Sequence, residues 1–198
     1  MIAPARHVGD NTLTNTIVAE TRAPGAAEAS GMNVLIVVES CFGNTARIAE
    51  AVAEGIRGRG GSVTVVGTQT MPALDDVDLL LVGAPTHNAG LSTPTSRRQA
   101  ETHGAARAVT GVREWLDALP ARLNVRAAAF DTVAGRSIFT GSAARRIVQR
   151  LQGHACDIVG RESFLVVSRV GPLAGNESAR AERWGSELAD RLSRFGMR

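Results

Sequence analysis

From residue 33 onward the apolar positions follow two periods in turn. Val34-Leu35-Ile36-Val37-Val38 is an unbroken apolar run, the pattern of a strand covered on both faces. Ile48, Ala49, Val52 and Ile56 come next at helical spacing, and Gly58, Gly60 and Gly61 supply a stop. The same reading predicts strands over 33–38, 62–67, 78–84, 125–130 and 156–167, the last with an irregular middle, and helices over 45–58, 110–119, 142–152 and 177–195. Apolar strands separated by helices specify a doubly wound α/β domain, a parallel sheet with helices on both faces. Trp184, Leu188 and Leu192 recur every four residues with Phe195 beyond them, and Trp115 also falls in a helical stretch, so both tryptophans are assigned to the core.

Residues 1–31 show no such period and are rich in Ala, Thr, Asn, Gly and Pro, which predicts a flexible tail before a domain over 32–198, with Met32 a possible alternative start. A chain of 198 residues with 44% hydrophobic content suits one core. It holds no apolar run near the roughly 20 residues that cross a bilayer and no secretory leader pattern, so a cytoplasmic protein without membrane contact is expected. Cys41 and Cys156 are far apart with no C-x-x-C spacing, which argues against zinc and against a dithiol motif.

Net charge is +3, and all 22 basic residues are Arg. The first 31 residues hold two arginines and three acids, leaving +4 on residues 32–198. The arginines interleave with apolar positions on helical faces and lack stacking aromatics, so nucleic acid is not an expected partner.

Three polar segments follow predicted strands. The first, Ser40-Cys41-Phe42-Gly43-Asn44-Thr45, joins the first strand to the first helix. A helix starting after Gly43 points unpaired N–H groups and its positive dipole end at whatever lies beyond the strand, which makes an anion site. The second, Pro85-Thr86-His87-Asn88-Ala89-Gly90, follows the third strand, and the third, Asp131-Thr132, follows Phe130. All three leave one edge of a parallel sheet, where open α/β proteins bind ligands. The segments lack G-x-G-x-x-G, a nucleophile elbow, metal-ligand spacing and the carboxylate that a receiver domain needs at the end of its third strand.

These segments resemble the flavodoxin family, whose first loop reads roughly S/T-x-T-G-N-T. The match fails at Phe42, where that family usually has a hydroxyl. The quinone reductases of the WrbA type carry an aromatic there, in S-M-Y-G-H, and their P-T-R-x-G-N segment is similar to Pro85–Gly90. "ES-x-FGNT", "GxPTH", "REWLDALP", "FDT", "GSAA" and "ESFLV…GPL", in this order, resemble uncharacterised flavodoxin-domain proteins of high-GC bacteria. The resemblance implies a flavodoxin-like five-stranded sheet of order 2-1-3-4-5 and FMN as cofactor. It further implies an unknown redox partner or small-molecule acceptor. Ser40, Cys41, Phe42, Gly43, Asn44 and Thr45 would hold phosphate, with Cys41 giving its backbone N–H. Pro85, Thr86, His87, Asn88 and Gly90 would line the ring, and Asp131 and Thr132 would close the third side. The chain has no Tyr to flank a flavin. His87 is the ring of the second loop, able to stack on flavin or donate to it. An NAD(P)H:quinone oxidoreductase of the WrbA kind, or a binding module that has lost flavin, are the alternatives.

Overall fold

The computed structural model describes residues 31–88, 90–106, 109–135, 141–168 and 170–195. The expected tail, except Gly31, lies outside the described residues, as does the side chain of Phe195. Five strands, β1 (Asn33–Val38), β2 (Ser62–Gly67), β3 (Leu79–Pro85), β4 (Arg126–Ala134) and β5 (Asp157–Val166), form one sheet of order β2-β1-β3-β4-β5. Every neighbouring pair is parallel. The helices are α1 (Asn44–Arg57), α2 (Pro94–Glu101), α3 (Val112–Asp117), α4 (Ala143–Gly153) and α5 (Glu177–Phe195).

The apolar runs divide by the period of two between the sheet's faces. Leu35, Val37, Leu80, Val82, Ala127 and Ala129 pack under α3 and α4, around Trp115 and Leu116. Val34, Ile36, Leu79, Leu81, Ala128 and Phe130 pack under α1 and α5, where Trp184 meets Phe130 and Phe164 edge-on. Both tryptophans are core residues, as their helical spacing requires. Gly83 stands beside Phe130 in the β3–β4 register, and a Cβ there would come within 2.1 Å of the Phe130 ring.

Three elements differ from the sequence reading. Helix α2 was not anticipated, because its Pro-Thr-Ser-Arg-Arg-Gln-Ala-Glu segment has no apolar stripe. Its start signal is nevertheless present: Thr93 and Ser96 form a reciprocal capping box with Pro94 at the first turn. Helix α3 is six residues long, shorter than its pattern suggested. Strand β4 runs on to Ala134, so Asp131 and Thr132 lie within the sheet, paired with Ser163 and Phe164 of β5, and not in a loop. The irregular middle of β5 is a register shift, Ala127 facing Ile158 and Ala128 facing Gly160. No described helix is long and apolar enough to cross a membrane.

Candidate functional site

The carboxyl end of β1 turns sharply at Gly43, whose φ of 84° is a left-handed value that glycine adopts freely. The Ser40 hydroxyl accepts from the Ala46 N–H at 3.2 Å, and the Gly43 carbonyl accepts from Arg47 N–H at 3.0 Å. The backbone N–H groups of Ser40, Cys41, Phe42, Gly43, Asn44 and Thr45 find no acceptor among the described residues. A Cβ on Gly43 would meet nothing within 4 Å, so the space beside Gly43 is open. Unpaired donors on an open turn, at the start of a 14-residue helix, are the fitting for a phosphate-sized anion.

The side chains of this loop are partly committed elsewhere. Asn44 Nδ2 donates to the Gly171 carbonyl at 2.7 Å, tying the β5–α5 connection to the head of α1. Thr45 Oγ1 bonds Thr132 Oγ1 at 2.9 Å, and both residues are buried. Cys41 is buried, its carbonyl accepts from Ala106 N–H at 3.1 Å, and its Sγ lies 3.6 Å from His87 Nε2. Burial and the neighbouring Glu39 charge push the Cys41 thiol up to about 11, with Arg97 opposing. Phe42 is half-buried.

The second loop is held as firmly. Pro85 ends β3, and Thr86 N–H donates to the Thr132 carbonyl at 2.9 Å. His87 and Gly90 exchange both backbone hydrogen bonds at 2.9 Å across a turn in which Asn88 takes a φ of 44°. Asp131, fully buried, is a hub rather than a loop wall. Its Oδ2 accepts from Thr86 Oγ1 at 2.9 Å, Ser142 Oγ at 2.7 Å and Ala144 N–H at 2.9 Å. Thr86 Oγ1 in turn accepts from Ala143 N–H at 2.9 Å. Asp131 therefore pins the N-terminus of α4 to the loop after β3. With Ala143 N–H on Thr86 Oγ1 and Arg145 N–H on Ser142 Oγ, the first N–H groups of α4 are occupied, whereas those of Asn44 and Thr45 at the start of α1 find no acceptor among the described residues.

A second buried network escaped the sequence reading. Glu39, 2% exposed, accepts Val112 N–H on Oε2 at 2.8 Å at the head of α3. Arg97, also 2% exposed, reaches from α2 to Ser92 Oγ at 3.0 Å and to Glu114 Oε2 at 3.1 Å. Burial alone would raise the Glu114 carboxyl, but Gly111 N–H and the Arg97 guanidinium outweigh it and hold it below the usual range. An acid directly after an apolar strand was a legible signal for Glu39; Arg97 gave none, being one arginine among several. Glu39 Oε1 and Asp131 Oδ1 are buried without a partner among the described residues. No group of His, Cys, Asp and Glu among those residues could hold a metal.

With parallel order 2-1-3-4-5 and three segments converging at its carboxyl edge, the chain has the flavodoxin-like fold. Among solved structures it is similar to a flavodoxin from Streptococcus pneumonia, at 20% identity over 80% of this chain and 99% of that chain, with a TM-score of 0.59. It is also similar to flavodoxin 1 from Bacillus cereus, at 17% identity over 80% and 97% of the two chains and a TM-score of 0.58. A WrbA-like flavodoxin from Agrobacterium tumefaciens matches at 18% identity over 83% and 99%, with a TM-score of 0.52. No protein-family model matches the sequence, and no curated protein matches it.

Proposed function

We propose that this chain binds FMN at the carboxyl edge of the sheet and exchanges electrons or hydride through it. The observation that carries the reading is the turn of unpartnered N–H groups from Ser40 to Thr45 around an open Gly43. That turn suits a dianionic phosphate. The Ser40 hydroxyl, which accepts from Ala46, retains its own proton to donate. When bound, flavin supplies the redox chemistry, and the protein supplies binding, orientation and field. His87 and the turn it closes with Gly90 would line the ring, as would Phe42. Asp131 and Thr132 would act by holding that turn and α1 in place, because their side chains are buried.

The phosphate is the stronger handle. Hydrogen bonds to a charged group contribute about 1.5–3 kcal/mol each, whereas an aromatic stack adds about 0.5–1.5 kcal/mol beyond area burial. Trp115 and Trp184 are 1% and 7% exposed and committed to the core clusters. Two phosphate hydrogen bonds suffice for a preference of about 100-fold for FMN over riboflavin.

Titrating apoprotein with each flavin, followed by fluorescence, tests this. Equal affinities, or no yellow complex with either, would overturn it; a protein that takes up no flavin would be a binding module on the same fold. Gly43→Val is the second arm. Its branched Cβ would project into the space the anion needs and resist the positive φ, so loss of FMN binding with the fold retained is expected. A WrbA-like NAD(P)H:quinone oxidoreductase is the second reading, favoured by the aromatic Phe42 directly before Gly43. Turnover of NAD(P)H with a quinone by the FMN-loaded protein separates it from an electron carrier.

A further inference from the structure

The amino edge of the sheet, at the other end of the strands from the Ser40–Thr45 turn, holds a cavity of about 350 Å³ lined by Arg126, Asp157, Val159, Arg191 and Leu192. That volume lies at the small end of the range for small-molecule sites. Arg126 and Asp157 are the first residues of β4 and β5 and stand opposite each other in the parallel register, whereas Arg191 and Leu192 belong to the last part of α5. Residues 126 and 128 share a face of β4, and Ala128 packs in the cluster beneath α5, so Arg126 lies on the side of the sheet that this helix covers.

The register shift of β5 falls at this cavity. Ala127 faces Ile158 and Ala128 faces Gly160, which leaves Val159 as the extra, unpaired residue of a bulge. Bulges re-aim side chains and are over-represented beside functional sites. Val159, half-buried, and Leu192, buried, supply the apolar part of the lining. Gly160 keeps α5 close to the bulge, since a Cβ there would lie 3.0 Å from Leu188 Cδ2.

The charged groups of the lining are uncommitted. Arg126, Asp157 and Arg191 make no side-chain hydrogen bond or ion pair among the described residues, although Arg126 and Asp157 face each other across the strands. Asp190, next to Arg191 in the chain, is taken by Arg59. The macrodipole of α5 favours a cation near its end, which accounts for Arg194 and would account for Arg191 alone. It does not account for Arg126, which stands on a strand and is half-buried. A guanidinium drawn partly out of water is ordinarily paired.

We propose that this cavity binds a small organic monoanion, its carboxylate held by Arg126 and Arg191 and its apolar body set against Val159 and Leu192. Guanidinium groups match a carboxylate with paired N–H donors. Asp157 limits the charge of the ligand: two cations and one acid leave a single positive charge, which suits a carboxylate and penalises the second charge of a phosphate. The site lies at the opposite edge from the Ser40–Thr45 turn, so the inference does not rest on the flavin reading.

Phenylacetate is the probe, with phenylacetamide as its neutral counterpart and phenyl phosphate as the dianion, each titrated into the full isotope-labelled chain and followed by backbone amide shifts. Saturable shifts at Arg126, Asp157 and Val159 are expected with phenylacetate, and binding there at least about tenfold weaker for each of the other two. Residues 40–45 report the turn separately, so phosphate binding at that end is not confused with binding here. The double variant Arg126→Gln/Arg191→Gln should weaken phenylacetate at least about tenfold. Arg122→Gln/Arg194→Gln makes the same change of charge at exposed positions outside the cavity and should alter binding little. Asp157→Asn should narrow the gap between phenyl phosphate and phenylacetate. No saturable shift at the three lining residues, equal losses in the two double variants, or phenylacetamide bound as tightly as phenylacetate would overturn the inference. The amide comparison uses the unaltered chain and stands even where a variant fails to fold.

Discussion

At the residue scale, Cys41 shows how a position in the candidate loop can look reactive and be built for the opposite. A cysteine near a helix start is ordinarily a candidate thiolate. Here burial and the Glu39 charge favour the neutral thiol, raising its pKa from 9.0 to about 11. The neutral thiol lies 3.6 Å from His87 Nε2, a contact whose direction follows the tautomer of the imidazole. Alkylation by iodoacetamide should thus be slow at neutral pH and accelerate only as pH approaches 11; rapid modification near pH 7 in the folded protein would contradict this. The linkage has a definite sign. Because the folded value lies above the unfolded one, the stabilisation from keeping the thiol neutral is complete below pH 9 and declines as pH rises toward 11.

At the element scale, α1 and α5 pack backbone to backbone at two glycines. A Cβ on Gly55 would lie 1.9 Å from the Glu182 carbonyl oxygen, and one on Gly185 would lie 2.2 Å from that of Val52. Each glycine receives the backbone of the facing helix. Replacing a helical glycine by alanine normally stabilises by about 1 kcal/mol, but here the two helices must separate, and overpacking of this kind costs about 1–3 kcal/mol or more. Gly185→Ala should therefore lower the thermal midpoint despite its better helix propensity, and a raised midpoint would show that the helices can part freely. The sheet's edges rely on arginine instead. Arg57 donates to the Val63 carbonyl on β2, while Arg180 donates to the Ser163 carbonyl and Glu177 accepts from Leu165 N–H on β5. Occupied edge groups discourage pairing with another chain.

At the scale of the whole molecule, residues 32–198 carry a net charge of +4, so an anion at the Ser40–Thr45 turn would sit in a net positive field. An excess of positive charge facing a phosphate is screened over about 10 Å at 0.1 M salt. FMN affinity should accordingly fall with ionic strength, while riboflavin affinity changes little. Parallel salt dependence for both flavins would mean that the field of the carboxyl edge plays no part in binding.

Order and class of the main elements were legible in the sequence because they depend on local periodicity: an unbroken apolar run for β1, four-residue spacing for α5, glycines at the end of α1. The Ser40–Thr45 turn was legible for a similar reason, since its small residues and Gly43 adjoin one another in the chain. What the tertiary structure decided are matters of distance across the chain. Asp131 reads as a loop acid until register extends β4 and brings Thr86, Ser142 and Ala144 onto its carboxylate. Helix α2 has no stripe to announce it and is anchored by a buried guanidinium, whose partners Ser92 and Glu114 become neighbours only after folding. Asn44 likewise reads as a phosphate ligand until Gly171, far along the chain, supplies its side-chain amide with an acceptor. Hydrophobic period reports which face a residue takes, whereas the partner of a polar group is set by which chain segments the folded sheet brings within hydrogen-bond reach.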